Sequence, residues 1–365
     1  MHDGGQTLNE AGVATAFDGD TLASVLPVAW RESPADNRQL LLAADVGGTH
    51  ARIGLMAFDS NQSAHARTAP VMLAYRVYAC RDYPGLDAIV RSFCDELAVK
   101  PRRFALGCAG YLHDGRVINS NLQWPIEPAA LERALQIDEV HVLNDFVALA
   151  HATTHLDANA VTALHTPRRV VDTAGAVVVI GPGTGLGVAV RLPGPPQAVL
   201  ATEAGHIQMA TRAGREHQVL GELAAADMHV AYDHVLSGPG LLRVYQALCR
   251  LEGRSSSLHM PADVVAAACN SADPCAVETL QLFCGWLGSF CGDMAMLYNA
   301  TGGIYLAGGF LTHMKALLET STFVDRFLDK GVMRPFLQTV PIHLVDHAQL
   351  GVVGAASWLL ERPPA

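Results

Sequence analysis

Three glycine-rich segments contain the residues best suited to bind phosphate. They are DVGGTHAR (residues 45–52), GPGTGLG (181–187) and LAGG (306–309). Glycines let backbone N–H groups approach an anion closely, because no Cβ intervenes and positive φ is allowed. The first two segments each add a threonine, Thr49 and Thr184, whose hydroxyl can hydrogen-bond a phosphate oxygen. These turns therefore predict phosphate binding.

None of the three turns contains a lysine. The chain has only Lys100, Lys315 and Lys330, which excludes a P-loop (GxxxxGK[ST]) and the β3 lysine of protein kinases. The glycines of GPGTGLG recur at every second residue and lead into an apolar run, so a dinucleotide-binding fingerprint is disfavoured as well. Asp45 beside a phosphate makes electrostatic sense only if a cation such as Mg²⁺ lies between them.

Apolar runs flank the first two turns. Residues 40–45 and 52–59 surround the first turn, and the second lies within residues 176–192. A strand, a glycine turn and a second strand are typical of a β-hairpin. Because each half of the chain begins with such a hairpin, we expect an internal duplication, with two similar domains facing each other across a cleft.

The segments after the hairpins alternate between helical and extended patterns. Residues 83–97 have apolar side chains at helical spacing, 103–110 and 139–146 are short apolar runs typical of strands, and 147–156 is again helical. This alternation predicts an α/β domain with an antiparallel edge. Further helices are expected at residues 311–319 and 352–362.

One apolar run, residues 280–300, approaches the length of a membrane span. Three glycines and Asp293 interrupt it, and no basic residue flanks it closely. This pattern favours a buried core helix over a membrane helix.

Composition narrows the class of protein. A chain of 365 residues suggests two domains, here residues 39–155 with 350–365, and residues 156–349. The net charge of −10 argues against a nucleic acid or an anionic membrane as partner.

The eight cysteines lack a CxxC pair and are typical of reduced core residues in a cytoplasmic protein. Residues 1–38 contain no lysine and are expected to be an N-terminal extension rather than a signal peptide.

The motifs, in their order along the chain, resemble those of bacterial glucokinases. DVGGTHAR is similar to the first phosphate motif of that family, LNDF to its catalytic strand and GPGTGLG to its second phosphate hairpin. EAGH is similar to its sugar signature, VLSGPGL to a segment that follows a further sugar ligand, and LAGG to its adenosine motif. The resemblance implies two similar actin-like or ribonuclease-H-like domains with mixed sheets flanked by helices. It also implies ATP-dependent phosphoryl transfer to the 6-hydroxyl of glucose.

The resemblance assigns roles to individual residues. Asp145 corresponds to the general base, which would take the hydroxyl proton of the sugar as that oxygen attacks the γ-phosphate. Without the other motifs, a helix N-cap would be the simpler interpretation of Asp145. The expected sugar-binding residues are Asn121, Asn144, Asp145, Glu203, His206 and Asp233. The expected residues for ATP and its phosphates are Ala44, Asp45, Val46, Gly47, Gly48, Thr49, Arg52, Gly183, Thr184, Gly185, Gly308 and Gly309, with Asp45 binding Mg²⁺ indirectly.

Some residues depart from the family pattern. Asp233 stands where glutamate is usual, a side chain shorter by one C–C bond of about 1.5 Å, and His50 stands where asparagine is common. A catalytically weak or inactive sugar sensor, a kinase for another hexose and polyphosphate as the donor are therefore alternatives. His151 and His155 have the spacing of a zinc pair but lack a third ligand, so no zinc is expected. From the resemblance we also expect a homodimer.

Overall fold

The computed structural model describes residues 38–59, 70–118, 122–156, 160–167, 174–194, 198–224, 229–345 and 349–362. The chain divides into two compact units. Unit 1 comprises Met1–Ala152 and Gln349–Ala365, and unit 2 comprises Thr153–Ala348. The predicted extension, residues 1–38, lies outside the described residues except for Arg38, which opens the first strand.

Unit 1 contains a five-stranded mixed sheet in the order β3-β2-β1-β4-β7 and a two-stranded ribbon of β5 and β6. Its strands are β1 (Arg38–Val46), β2 (His50–Asp59), β3 (Val71–Ala79), β4 (Arg103–Cys108), β5 (Tyr111–His113), β6 (Arg116–Ile118) and β7 (Glu139–Asn144). Its helices are α1 (Leu86–Leu97), α2 (Pro128–Leu135), α3 (Asp145–Ala152) and α12 (Leu350–Leu360).

The register of the three parallel strands brings their carboxyl ends together. β1 pairs with β4 and β4 pairs with β7, so that Val46, Cys108 and Asn144 occupy one row across the sheet. The other pairs, β1 with β2 and β2 with β3, are antiparallel. The first glycine turn and the first residue of α3 therefore leave the sheet at the same edge.

Helices cover both faces of this sheet because the central strands are apolar on both sides. Leu42 and Ala44 pack with α1 in one core cluster, whereas Leu41 and Ala43 pack with α3 and α12 in another. This alternation is the period-2 pattern of a strand. α12 lies so close to α3 that a Cβ on Gly354 would overlap the carbonyl oxygen of Ala148.

Unit 2 contains a six-stranded mixed sheet in the order β11-β10-β9-β12-β13-β8. Its strands are β8 (Val161–His165), β9 (Val177–Pro182), β10 (Leu186–Leu192), β11 (Ala198–Thr202), β12 (Gly303–Ala307) and β13 (Ile342–Val345). Its helices are α4 (Arg215–Ala224), α5 (Gly238–Leu251), α6 (Pro261–Cys269), α7 (Pro274–Leu297), α8 (Gly309–His313), α9 (Lys315–Thr320), α10 (Phe323–Leu328) and α11 (Arg334–Leu337).

The two sheets share one strand order. In each, a hairpin and a third strand form an antiparallel meander, and two parallel strands continue from the first strand of the hairpin: β4 and β7 in unit 1, β12 and β13 in unit 2. Unit 2 adds β8, which pairs antiparallel with β13. The expectation of mixed sheets flanked by helices is confirmed, and the shared order agrees with an internal duplication.

The long apolar run forms a core helix. It belongs to α7, whose buried side chains include Phe283, Trp286 and Phe290. Among the described residues, no helix combines the length and apolar character that a membrane crossing requires. The expectation of a buried core helix is thus confirmed.

The structure corrects several predicted boundaries, and two of them change the description of an element. The strand expected at residues 139–146 ends at Asn144, because the helix begins at Asp145. The helix expected at residues 311–319 is two short helices, α8 and α9, which are separated at Met314. Met314 is completely buried, and its backbone at φ −100°, ψ 7° is not helical.

Substitution of Gly354 tests the close packing of α3 and α12. Gly354→Ala should lower the free energy of unfolding by about 2 kcal/mol or more, because the backbone of Ala148 must move. Gly221→Ala is the matched control, since Gly221 lies in α4 and a Cβ there would meet nothing within 4 Å. It should stabilise the protein by about 0.5–1 kcal/mol. Equal urea midpoints for Gly354→Ala and the wild type would contradict this packing.

Two histidines with lowered pKa values should make the stability of the protein depend on pH. Burial lowers the pKa of His165 and of His343, and within the described residues His165 Nε2 and His343 Nδ1 have no hydrogen-bond partner. The unfolded chain takes up these protons below about pH 6.5, whereas the folded protein resists protonation. The free energy of unfolding should therefore be greatest above that pH and fall as the pH is lowered. Urea titrations between about pH 5 and 8 should show a shallower fall for His343→Phe; an identical slope would contradict the assignment.

Candidate active site

The first glycine turn is a tight hairpin with an exposed tip. The Gly47 N–H donates to the carbonyl of His50 at 3.0 Å, and the Cys80 N–H donates to the carbonyl of Thr49 at 2.9 Å. The thiol of Cys80 also approaches the carbonyl of Gly47 at 3.4 Å. Thr49 and His50 are exposed, whereas Val46 and Ala51 on either side are buried. The strands thus anchor a turn whose tip, at Thr49 and His50, is exposed.

Arg52 provides a positive charge next to Asp45. The two residues are cross-strand partners, and Arg52 Nη1 donates to Asp45 Oδ2 at 3.1 Å. Burial raises the pKa of the Tyr75 phenol; the Arg52 guanidinium opposes this shift and Asp45 adds to it. Arg52 is therefore an internal countercharge in the lysine-free hairpin.

Asp45 also packs against the start of α12. A Cβ on Gly351 would lie 2.8 Å from Asp45 Cγ and 2.9 Å from Asp45 Cβ. Only glycine allows this approach without displacing the aspartate. Gly351 is the second residue of α12. It was not predicted as a site residue, because its contact with Asp45 joins segments that are distant in the chain.

Asn144 and Asp145 occupy the end of β7 and the start of α3. The side-chain oxygen of Asn144 accepts the N–H groups of Phe146 and Val147 at 3.0 and 3.3 Å. Asn144 is thus the N-cap, and the alternative interpretation of Asp145 as the cap is off by one residue. Asp145 is the first helical residue, and its Oδ1 accepts the Phe146 N–H at 3.0 Å. The partial positive charge of a helix N-terminus favours a carboxylate there.

Cys108 lies near two carboxylates at this edge of the sheet. It ends β4, between β1 and β7. Burial raises the pKa of its thiol to about 12, and the negative charges of Asp145 and Asp45 contribute to the shift. Two carboxylates, those of Asp145 and Asp45, are thus close enough to this thiol to influence it.

The second glycine turn has the same character. The Gly183 N–H donates to the carbonyl of Gly185 at 2.7 Å, and Thr184 at the tip is exposed. The Gly238 N–H at the start of α5 donates to the carbonyl of Gly183 at 2.8 Å. A Cβ on Gly308 would lie 2.6 Å from the carbonyl oxygen of Pro182. The LAGG motif and the second hairpin are therefore in contact.

The EAGH motif packs on the end of the second hairpin. Ala204–His206 is a 3₁₀ turn, and a Cβ on Gly205 would overlap the carbonyl oxygen of Leu186. The side chains of Glu203 and His206 are 89% and 64% exposed, and their Oε2 and Nε2 atoms are 3.9 Å apart. A carboxylate and an imidazole thus project from the segment that packs on the second hairpin.

Asp233 reaches the same hairpin from another segment. It lies in the 3₁₀ turn Tyr232–His234, and its Oδ1 accepts the Leu186 N–H at 2.6 Å. The Ser237 hydroxyl donates to the carbonyl of Asp233 at 2.7 Å and also caps α5 through the Gly240 N–H. An isolated antiparallel bridge between Gln208 and Ala231 joins this turn to the EAGH segment.

The structure thus brings the predicted residues into two groups. In unit 1, residues 44–49, Arg52, Asn144 and Asp145 lie at one edge of the sheet. In unit 2, Gly183–Gly185, Glu203, His206, Asp233 and Gly308 meet around the second hairpin, and Gly309 follows Gly308 at the start of α8. Asn121 lies outside the described residues. Ser237, in the VLSGPGL segment, was not predicted to have a role. Its place before Gly-Pro-Gly is a typical N-cap signal that could have identified it.

The edge of unit 1 offers a small set of oxygen donors that could take part in binding Mg²⁺. No group of three or more His, Cys, Asp or Glu side chains in the described part of the chain could hold a metal ion. Asp45 and Thr49 offer the oxygen ligands that Mg²⁺ prefers, and Mg²⁺ is commonly held by one or two carboxylates plus substrate phosphates. The donor set therefore fits Mg²⁺ that arrives with a nucleotide.

Two sheets of one strand order, each opening on a glycine hairpin, together with carboxylates at the strand ends, have the fold and residue types of a sugar kinase. The family model described as Glucokinase matches residues 42–362. The chain therefore belongs to the glucokinase family.

Individual relatives cover nearly the whole chain. A glucokinase-like protein of Xylella fastidiosa (strain 9a5c) is 40% identical over 93% of this chain and 99% of its own length. A glucokinase of Saccharophagus degradans is 33% identical over 87% of this chain and 97% of its own. The crystal structure of glucokinase from an Antarctic psychrotroph has a TM-score of 0.78 at 32% identity, over 89% of this chain and 99% of that one. A glucokinase of the ROK family from Streptomyces griseus, solved with glucose and AMPPNP, shares the fold at a TM-score of 0.55 and 20% identity over 87% of this chain and 98% of that one.

The capping role of Asn144 can be tested by stability. Asn144→Ala should lower the free energy of unfolding by about 0.5–2 kcal/mol, because the Phe146 and Val147 N–H groups lose their acceptor. Asn144→Ser retains a good capping oxygen and should cost clearly less. Urea denaturation of both variants is the measurement, and equal losses for alanine and serine would contradict the cap.

Proposed function

We propose that this protein is a glucokinase that transfers the γ-phosphoryl group of ATP to the 6-hydroxyl of glucose, giving glucose 6-phosphate and ADP. The observation that carries the proposal is the position of Asp145, a carboxylate at the start of α3 on the same sheet edge as the glycine hairpin and Asp45. Membership of the glucokinase family and the names of its relatives support the choice of sugar and reaction.

Asp145 would act as the general base. It would accept the proton of the sugar's 6-hydroxyl while that oxygen attacks phosphorus, and the bond between the β–γ bridging oxygen and the γ-phosphorus would break to release ADP. The base must be ionised before the reaction, and the N-terminus of a helix is a favourable place for a carboxylate. Proton transfer of this kind contributes about 10²- to 10⁴-fold to a rate.

Sugar hydroxyl groups would be bound by polar side chains that accept and donate hydrogen bonds. We assign Glu203 and His206 to this role because both are exposed beside the second hairpin. Asn144 and Asn121 would add amide groups. Asp233 would contribute Oδ2, since its Oδ1 accepts the Leu186 N–H. A buried sugar hydroxyl without a partner would cost about 1–3 kcal/mol, which would discriminate between epimers.

The phosphates of ATP would be bound by the two hairpins without a lysine. Backbone N–H groups of Gly48, Thr49, Thr184 and Gly185 and the hydroxyls of Thr49 and Thr184 would donate hydrogen bonds. The N–H groups of Gly47 and Gly183 donate within their own turns, so these glycines would only let the phosphates approach. Gly309, where a Cβ would meet nothing within 4 Å, would leave room for the adenosine, and Gly308 would keep this segment packed on the second hairpin. Mg²⁺, bound with the nucleotide near Asp45, would neutralise charge on the phosphates. Arg52 would keep Asp45 in place through its 3.1 Å ion pair.

A sugar sensor without catalytic activity is the second candidate. One observation favours it. Asp233, which replaces the family's usual glutamate at an expected sugar-binding position, has one carboxylate oxygen engaged by a backbone N–H. A kinase for another hexose would use the same residues. A panel of sugars and phosphoryl donors, measured for both binding and turnover, separates these activities.

Substitution of Asp145 tests the proposed reaction. Asp145→Asn keeps an oxygen for the Phe146 N–H but removes the base, so kcat should fall by about 10²- to 10⁴-fold. Glucose-dependent ADP release in a coupled assay is the measurement, and calorimetry should show that the variant still binds glucose. Unchanged turnover would rule out Asp145 as the base, and glucose binding by the wild type without turnover would favour the sensor.

A further inference from the structure

The side chain of Asp233 is directed at the backbone of the second hairpin. Its Oδ1 accepts the Leu186 N–H at 2.6 Å. The same oxygen lies 2.8 Å from the position that a Cβ on Gly185 would occupy. The carboxylate thus fills the space that the absent side chain of Gly185 leaves, directly beneath the exposed tip of the hairpin.

The turn that carries Asp233 is itself firmly held. The Asp233 carbonyl accepts the Ser237 hydroxyl at 2.7 Å. The neighbouring Tyr232 is 4% exposed, and its ring centroid lies 4.7 Å from that of Phe290 in α7. The Tyr232 hydroxyl approaches Asp293 at 3.5 Å, and Asp293 accepts a hydrogen bond from Lys330 at 2.6 Å. These contacts fix the Asp233 backbone to the core of unit 2.

We propose that Asp233 is a positioning residue for the second phosphate hairpin, which it holds in the conformation that binds the phosphoryl donor. The inference rests on the proposed function for the identity of that donor. A glutamate here would carry its carboxylate about 1.5 Å further from the backbone. The shorter aspartate of this chain places its carboxylate at the Leu186 N–H, and Thr184 at the tip of the hairpin stays exposed. The aspartate that departs from the family pattern therefore contributes to binding of the phosphoryl donor, through its contact with the second hairpin.

Two substitutions at Asp233 separate this task from sugar binding. Asp233→Ala removes the acceptor, whereas Asp233→Asn keeps a carbonyl oxygen at Oδ1 and loses only the charge. We expect Asp233→Ala to raise the KM for ATP about tenfold, since a misplaced binding group commonly costs that much or more. Asp233→Asn should restore the KM for ATP to within a few-fold of the wild type. The KM for glucose is measured in parallel and reports on Oδ2.

Hydrogen exchange of the substrate-free protein gives a readout that does not depend on activity. Asp233→Ala should increase amide exchange in a peptide that includes Leu186, and Asp233→Asn should not. If wild type fails to phosphorylate any sugar, the proposed function fails, and the exchange experiment alone still decides the role of Asp233. If exchange and the KM for ATP are unchanged in Asp233→Ala while the KM for glucose rises, Asp233 is only a sugar ligand and the inference is wrong.

A double-mutant cycle with Gly185 provides an independent check, because Gly185→Ala displaces the carboxylate of Asp233 without removing it. Gly185→Ala should push Asp233 Oδ1 away and raise both exchange and the KM for ATP. In the Asp233→Ala background the same methyl group has space, so its added effect should be much smaller. Gly221→Ala, in open space on α4, is the control and should change neither quantity. Additive effects of Gly185→Ala and Asp233→Ala would overturn the inference.

Discussion

The parallel register of β1, β4 and β7 is the constraint on which the candidate site of unit 1 depends. It places the ends of three strands in one row, so that the first hairpin, Cys108 and the Asn144–Asp145 pair share an edge. A slip of one residue in any of these strands would turn its side chains to the opposite face and exchange the two core layers. Burial of Leu41 and Leu42 on opposite faces makes such a slip costly. The packing of the sheet thus fixes the place of chemically reactive groups.

Local patterns along the chain predicted the elements that surround the site. The two hairpins, α1, the core helix α7 and the C-terminal helix were all visible in apolar periodicity and glycine turns. Other elements were not predicted, among them β3 and β11. β11 is an edge strand with mostly exposed side chains, so its sequence carries little alternating signal. The break at Met314 was also missed, because a buried methionine continues the apolar pattern of a helix while the backbone there leaves it.

The chemistry of the site was predictable where one segment supplies it, and less so where distant segments meet. The glycines, threonines and acidic residues of the hairpins are recognisable from their types alone. The role of Asn144 as the cap instead of Asp145 depends on where β7 ends, a matter of one residue. The contacts of Gly351 with Asp45 and of Asp233 with Leu186 join residues far apart in the chain, and no local pattern encodes them.

The two hairpins differ in where their carboxylate comes from. In the first, Asp45 and its partner Arg52 are seven residues apart and face each other across the hairpin, so their contact can form with the turn itself. In the second, the carboxylate of Asp233 comes from 47 residues beyond Leu186. A contact of that span closes a large loop and belongs to the slower steps of folding. The carboxylate of the first turn is thus held by a partner within its own hairpin, whereas the carboxylate at the second comes from a segment that packs on α7 through Tyr232.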